Sequence, residues 1–216
     1  MGHAIGLPAP ASSGHHTPQL RVLGPVELDA AGPLPDTSHT ARLTELAALL
    51  ALQPGASPAM VDDAIWPGRV RENNQVTRHS ALSRLRRWLG GDAEGPFLAR
   101  GSLRLRILTD WDAFIALVGA EPARTGERST AQLLAALRLV RGLPFAGVSA
   151  YRYWWADRLR VEMCLRIAAT AREVAHRVAP ADRDLAVWAA TIGLQAIPGD
   201  ECLAGYRSLS RVPQIA

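Results

Sequence analysis

Residues 73–90 of this 216-residue chain read NNQVTRHSALSRLRRWLG and constrain its fold more than any other segment. At helical period, Leu82, Leu85 and Leu89 fall on one apolar stripe with Trp88 beside it, so the segment predicts an amphipathic helix. The opposite face carries Thr77, Ser80, Ala81, Arg84 and Arg87. Short side chains allow a helix to lie close to a base edge, and guanidinium groups can reach phosphates or guanine. Such a face also suits a membrane surface or plain solvation.

The positive charge of the chain is concentrated around this helix. All 24 basic residues are Arg, and the formal net charge is +4. Nine Arg and three acidic residues lie between Arg69 and Arg106, so this window carries +6 and the rest of the chain −2. A basic patch confined to one segment is typical of nucleic-acid binding, and a solvated basic face is the alternative. The absence of Lys is explained more simply by the codon usage of a GC-rich genome.

The remaining composition limits the class of protein. Residues 1–19 are rich in Pro, Gly, Ser and His and predict a disordered tail or linker without a signal-peptide core. Cys164 and Cys202 are too few and too far apart for a disulfide framework or a metal site, and they indicate reduced, partly buried thiols in a cytoplasmic protein. No apolar run reaches the roughly 18 residues of a membrane-spanning helix.

The segment before the basic helix predicts two strands and two further helices. A β-rich segment begins over 20–30, and the strand pair that it predicts ends at Gly32-Pro33. A helix follows over about 40–53. Ser57 and Pro58 predict the N-cap and the first position of the second of these helices, the short PAMVDDAIW. Because adjacent residues do not share a helix face, Asp62 and Asp63 are predicted to be solvated first-turn acids rather than a catalytic pair.

Residues 97–107, FLARGSLRLRI, follow the basic helix and predict a hairpin turned near Gly101-Ser102. Apolar side chains alternate with Arg104 and Arg106, which gives one apolar and one cationic face. The order of strands, three helices and hairpin is that of a winged helix-turn-helix. In that fold the third helix enters the major groove and the wing contacts the flanking DNA backbone.

This arrangement assigns a role to each polar residue of the predicted interface. Base reading is assigned to Thr77, Ser80, Ala81 and Arg84. Positioning on the DNA backbone is assigned to Asn73, Asn74, Arg78, Arg87, Arg104 and Arg106. Since Arg residues that neutralise phosphates release counterions, we expect binding to depend steeply on salt concentration.

Several of these segments resemble a known family. LRVLGPVEL and VTRHSALSRLRRWLG, followed by the wing, resemble the DNA-binding domain of the Streptomyces antibiotic regulatory proteins (SARP), which is itself similar to the OmpR/PhoB winged helix. ALRLVRGLPFAGV, at 136–148, and the Trp-rich YWWADRLRVEM resemble the bacterial transcriptional activator domain (BTAD) of that family. The resemblance covers residues 20–211. It implies a homodimer bound in tandem to direct repeats, recruitment of RNA polymerase, and a helical half that stabilises the assembly.

A second resemblance concerns where such a chain is found. TARLTELAALLALQPGASPAMVDDAIWPG resembles a version in actinobacterial proteins in which this pair of domains follows a membrane-anchored, LysM-bearing N-terminal region. On that resemblance, the chain would be the cytosolic end of a longer protein.

Residues 109–216 predict an all-α half. Thr109 and Asp112 form a capping-box pattern, and helices are predicted at about 129–142, 152–178, 182–196 and 200–211. Their pairing predicts a tetratricopeptide-like array, shorter than the family's, so that the array or the chain is truncated. Arg152, with the two tyrosines beside it, is expected to dock the long helix onto the winged helix. Of Trp154 and Trp155, at least one is expected at a surface or a domain junction.

The sequence therefore predicts a mainly α fold with a small β component, with a winged helix at 20–108 and a tetratricopeptide-like helical domain at 109–216. No P-loop, zinc-protease or nucleophile-elbow motif occurs, so we expect no enzyme, cofactor, metal or small-molecule substrate. The predicted function is sequence-specific binding of double-stranded DNA by a cytoplasmic transcriptional regulator. The alternative is a protein-interaction module whose winged helix does not bind DNA and whose helices scaffold a membrane or cell-envelope assembly.

Overall fold

The computed structural model describes residues 17–68, 74–91, 97–121, 127–149 and 151–208. Within them the chain is mainly helical with a small three-stranded sheet, as the sequence predicts. The strands are β1 (Gln19–Arg21), β2 (Glu27–Asp29) and β3 (Leu108–Thr109). The α-helices are α1 (Thr37–Leu52), α2 (Pro58–Ile65), α3 (Asn74–Trp88), α4 (Asp110–Val118), α5 (Thr130–Arg138), α6 (Asp157–Val178), α7 (Arg183–Ala196) and α8 (Glu201–Ser208). A 3₁₀ turn at Trp154–Ala156 leads into α6.

The sheet has the order β2-β1-β3, with β1 in the centre. β1 and β2 are antiparallel, with Leu20 opposite Leu28, which confirms the predicted strand pair. β3 runs parallel to β1, with Leu20 opposite Thr109. Since β3 leads directly into α4, the sheet joins the start of the chain to the helical half.

Helices α1, α2 and α3 share one hydrophobic cluster, to which α1 contributes Leu46 and Leu50, α2 contributes Ile65, and α3 contributes Leu85 and Trp88. The local signals that predicted these helices are present. The Ser57 hydroxyl accepts a hydrogen bond from the Met60 N–H at 3.2 Å, and Pro58 occupies the first turn of α2. This packing holds α3 with one side in the core and the other in solvent.

Residues 97–107 differ from the predicted hairpin, because the structure describes no regular strand among them. The segment folds back on itself through one long-range backbone bond, from the Arg106 N–H to the Phe97 carbonyl at 2.8 Å, with a turn closed from Ser102 to Ala99. Leu98 and Leu105 are buried in the cluster of α3. The Leu98 carbonyl accepts a hydrogen bond from the Arg86 side chain, so this segment is held against α3 by a side-chain contact as well as by its buried leucines.

The helical half is built around α6, which packs mainly against α7 and also against α5 and α8. Thr109 and Asp112 form the predicted capping box, with reciprocal bonds of 2.9 and 3.0 Å. Cys164 is half-buried as predicted, whereas Cys202 is exposed because it lies on the outer side of the last helix. None of the helices in the described ranges is long and apolar enough to cross a membrane.

The two parts of the chain are joined by shared apolar packing and by a buried carboxylate. Leu20 and Leu23 of the N-terminal region belong to the hydrophobic cluster of the helical half. The Asp110 carboxylate, at the start of α4, accepts hydrogen bonds from the backbone N–H groups of Val22 and Leu23 at 2.7 and 3.0 Å. Burial raises the pKa of Asp110 above its usual range, and these two N–H donors act in the opposite direction.

The segment 151–155 lies between α1 and α6. The Trp155 side chain packs against both hydrophobic clusters, whereas Trp154 is half exposed. This confirms the expectation that one of the two tryptophans lies at a surface and shows the other at the junction. Arg152 contacts α1, as expected of a residue that docks the long helix onto the preceding domain.

Candidate nucleic-acid interface

One face of α3 is open to solvent along its whole length. Its exposed residues include Val76, Ser80, Ser83, Arg84 and Arg87, which follow the helical spacing of i, i+4, i+7, i+8 and i+11, and Gln75 and His79 are exposed beside them. The first and last turns of this face differ in chemistry. At the N-terminal end of the face the side chains are short and uncharged, and at the C-terminal end they are cationic.

Most of the residues assigned to this interface from the sequence are accessible. Ser80, Arg84 and Arg87 are exposed on α3, and Thr77 is partly exposed. Arg104 and Arg106 are exposed on the adjoining loop, where they flank the buried Leu105. Asn73 lies outside the described residues. Two residues that sequence reasoning missed, Val76 and Ser83, also lie on the open face, and the 3.6-residue period of the helix could have placed both there.

Ala81 and Asn74 do not lie on the open face, which corrects their predicted placement. Both are buried, and Ala81 belongs to the hydrophobic cluster shared by α1, α2 and α3. The reason is the width of the buried stripe. Ala81 lies four residues before Leu85, and Asn74 lies seven residues before Ala81, so both fall on the inner side of the helix.

Arg78 and Asp62 form a contact between α3 and α2 that changes the interpretation of both. The Arg78 guanidinium forms an ion pair and hydrogen bond with the Asp62 carboxylate, and both side chains are largely buried. The prediction that Asp62 is a solvated first-turn acid is therefore wrong, because α2 begins at Pro58 and Asp62 lies in its second turn, facing α3. Arg78 holds α3 against α2, whereas it was expected to face a DNA backbone.

Arg86 connects α3 to the 97–107 loop. Its Nε donates a hydrogen bond to the Leu98 carbonyl at 2.8 Å. Sequence analysis counted Arg86 only as a positive charge, because no spacing rule relates a helix residue to a carbonyl twelve residues away. The contact fixes the position of the loop beside the open face of α3.

The C-terminal end of α3 is closed by backbone hydrogen bonds. Gly90 has a left-handed φ of 80°, and Gly91 and Gly90 donate to the carbonyls of Arg86 and Arg87 at 3.1 Å each, which is a Schellman motif. The Gly32 N–H donates to the Trp88 carbonyl at 2.8 Å. These contacts hold the last turn, and with it the base of the Arg87 side chain, in one position.

A cleft of about 750 Å³ separates α3 from the 97–107 loop. Its lining has four arginines and a histidine but no acidic side chain, and consists of Pro58, Arg78, His79, Leu82, Ser83, Arg86, Arg87, Gly91, Arg100, Gly101 and Leu103. The described parts of 74–107 contain seven Arg and no Asp or Glu. Helix α3 and the 97–107 loop therefore adjoin at one cleft, to which the loop contributes Arg100, whereas the predicted Arg104 and Arg106 are not among its lining residues.

A second cleft, of about 300 Å³, lies on the other side of α3. It is lined by residues 33–36, by His39 of α1, and by Arg84, Arg87 and Trp88 of α3. Arg87 borders both clefts, and Arg84 borders the second one. Arg87 thus lies between two grooves and Arg84 lies at the edge of the second one, and both side chains are exposed.

Comparisons with family models, with curated proteins and with solved structures found no match to this chain. A function is therefore assigned from the residues of the chain itself.

Proposed function

We propose that this protein is a sequence-specific DNA-binding transcriptional regulator of the winged-helix type, with α3 in the major groove and the 97–107 loop on the flanking backbone. One observation carries the proposal. The exposed face of α3 and the adjoining loop carry five exposed Arg (84, 87, 100, 104 and 106), and the described parts of 74–107 contain no acidic residue. Duplex DNA is the partner whose dense negative charge and groove dimensions match such a surface.

Base reading belongs to the open face of α3. Ser80 is short enough to let the helix backbone approach the floor of the groove, and its hydroxyl can donate or accept a hydrogen bond. Arg84, one turn further along, can donate two hydrogen bonds to O6 and N7 of guanine. Thr77 lies at the edge of this face and is partly exposed.

Backbone contacts belong to the exposed arginines at the C-terminal end of α3 and on the adjoining loop. Arg87 on α3 and Arg100, Arg104 and Arg106 on the loop are exposed, so each can neutralise a phosphate. Arg78 and Arg86 line the cleft between α3 and the loop, but their side chains hold α2 and the loop in place, so they act as positioning residues. The resemblance to the Streptomyces antibiotic regulatory proteins supports a tetratricopeptide-like role for the helical half, which would assemble the protein on direct repeats and contact RNA polymerase.

Binding to duplex DNA as a function of salt tests the proposal. Fluorescence anisotropy with a labelled duplex pool, between about 50 and 200 mM salt, should give a linear fall of log K with log salt, with a slope of about −3 to −4 for four phosphate contacts. The triple variant Arg87→Ala, Arg104→Ala, Arg106→Ala should reduce that slope by about 2.7. Arg183→Ala, which removes an exposed arginine from α7, is the matched control and should leave it unchanged.

The protein-interaction module predicts a different result. If the winged helix does not bind DNA, the duplex affinity will be negligible or insensitive to salt. The triple variant and Arg183→Ala will then behave alike. That outcome overturns the proposed function.

A further inference from the structure

Val76 is the one apolar residue of α3 that the fold leaves in solvent. The other four, Ala81, Leu82, Leu85 and Trp88, are all buried in the shared hydrophobic cluster, whereas Val76 is 71% exposed. Val76 lies in the first turn of α3 and on the same stripe as Ser80, Ser83 and Arg87. It is therefore part of the surface that we assign to the major groove.

Among the described residues, the packing of α3 does not involve the Val76 side chain. The Val76 side chain contributes to neither hydrophobic cluster. A β-branched residue is also a weaker helix former than the Gln, Glu, Arg or Ala that ordinarily occupy an exposed helix position. On a face that we assign to the major groove, an exposed apolar side chain fits a ligand that presents an apolar group to it.

We propose that Val76 contacts the 5-methyl group of a thymine in the major groove and so selects for an A·T pair at the end of the site read by the first turn of α3. This inference rests on the proposed function and deepens it. Thymine is the only base that presents a methyl group in the major groove, and apolar side chains are the groups that recognise it. In helix-turn-helix proteins the N-terminal residues of the recognition helix contact base edges, which is where Val76 lies.

Val76 lies at the opposite end of α3 from the exposed arginines, as a base contact separate from the phosphate contacts requires. Arg84 and Arg87 stand two and three turns further along α3, and the Arg-rich loop is fixed at that end through Arg86. The uncharged first turn of α3 can therefore approach the bases while the cationic end holds the backbone.

Replacement of thymine by deoxyuridine tests the contact directly, because deoxyuridine keeps every hydrogen-bonding group and lacks only the methyl. A binding site is first selected from random duplexes with the wild-type protein. Each thymine of the selected duplex is then replaced in turn by deoxyuridine, and affinities are measured by anisotropy. We expect one or two positions at which the wild-type protein loses about fourfold in affinity, the effect of burying one methyl group.

Two variants assign the effect to Val76. Val76→Ala should bind the thymine duplex about fourfold more weakly and should no longer distinguish thymine from deoxyuridine at those positions. Val161→Ala is the matched control, since Val161 is 59% exposed on α6 and undergoes the same substitution. It should retain the wild-type discrimination. Circular dichroism and thermal unfolding should show both variants folded, because alanine favours an exposed helix position.

Three results overturn the inference, and they separate it from the proposed function. If the wild-type protein binds the selected duplex but ignores every deoxyuridine substitution, or selects a site without thymine, the methyl contact is refuted and DNA binding stands. If Val76→Ala keeps the wild-type discrimination, another residue reads the methyl group. If no salt-sensitive duplex binding is found at all, the proposed function and the inference fall together.

Discussion

The Glu45 carboxylate in α1 accepts hydrogen bonds from the Nε and Nη2 atoms of Arg152 at 2.8 and 2.6 Å, across 107 residues of sequence. Its other oxygen accepts the backbone N–H of Tyr153 at 2.9 Å, and the Glu45 side chain is only 3% exposed. Arg152 donates further to the Ala41 carbonyl at 2.6 Å. Because α1 packs on α3, this carboxylate couples the proposed DNA-reading helix to the segment that begins α6.

Glu45→Ala should therefore destabilise the whole chain. The substitution leaves the Tyr153 N–H without its acceptor and the partly buried Arg152 without its charge partner, so we expect a loss of about 2–3 kcal/mol in the free energy of unfolding. Glu45→Gln keeps one acceptor oxygen and should cost less. Urea denaturation of the two variants and the wild type measures both values.

Asp157→Asn is the control for Glu45, because Asp157 pairs with Arg160 at 2.7 Å on the exposed surface of α6. An exposed ion pair contributes little, and the loss should stay below about 1 kcal/mol, even with the helix-dipole effect of the first turn. Equal losses for the Glu45 and Asp157 variants would falsify a special role for the junction.

Gly32→Ala should destabilise the last turn of α3. A Cβ atom at Gly32 would lie 2.0 Å from the Arg87 carbonyl oxygen and 2.5 Å from that of Trp88, so the two segments must move apart and lose the Gly32–Trp88 hydrogen bond. We expect a cost of about 1–3 kcal/mol and a lower thermal unfolding midpoint. DNA affinity should fall as well, because Arg87 lies in this turn and its side chain would be displaced with it.

Gly55→Ala provides the opposite expectation for the same substitution. A Cβ at Gly55 meets nothing within 4 Å, and its φ does not lie in the left-handed region. The variant should be unchanged or more stable by about 0.4–1 kcal/mol, because alanine restricts the unfolded chain. If both glycine variants unfold at the same temperature, close packing between Gly32 and α3 is not present in solution.

Local rules of the sequence were sufficient for the presence of the helices and for two of their caps, although several helix ends lie a few residues from their predicted positions. The Ser57-Pro58 start of α2 and the capping box of Thr109 and Asp112 are formed by residues three apart, so the pattern alone contains the whole interaction. The contact of Arg152 with the N-terminal half was also expected, although its partner Glu45 was not foreseen, because no spacing rule relates residues so distant in sequence.

The errors share a physical cause, since each involves a contact between elements. Ala81 was placed outside because a helix wheel does not show how wide the buried stripe is until α1 and α2 cover it. Asp62 was predicted to be solvated because it was placed in the first turn of α2, and Arg78 was assigned to the DNA backbone, whereas the packing of α2 on α3 brings the two together. The 97–107 segment alternates like a strand, but its Leu98 and Leu105 side chains pack against α3, and its arms are joined by the backbone hydrogen bond from Arg106 to Phe97 without forming regular strands.

Arg86→Ala and Arg87→Ala, adjacent and identical in charge, should weaken DNA binding in different ways. Arg87→Ala removes a phosphate contact, so the salt slope should fall by about 0.9 and the loss of affinity should be similar on all sequences. Arg86→Ala frees the 97–107 loop, so the rate of tryptic cleavage after Arg100 should rise several-fold, whereas Arg87→Ala should leave that rate unchanged. A wild-type cleavage rate in Arg86→Ala would show that the hydrogen bond to Leu98 does not hold the loop.

Arg84→Ala should change which sequences are bound as well as how tightly. Arg84 is exposed on the groove-facing stripe, one turn after Ser80, and a bidentate contact with guanine contributes about 1–3 kcal/mol of discrimination. Selection from random duplexes should therefore yield a wild-type site with a fixed G·C pair that becomes degenerate for Arg84→Ala. Arg183→Ala, carried through the same selection, should reproduce the wild-type site. If Arg84→Ala weakens binding equally on every sequence and the selected site is unchanged, Arg84 contacts a phosphate, and base reading falls to Ser80 and its neighbours on the open face.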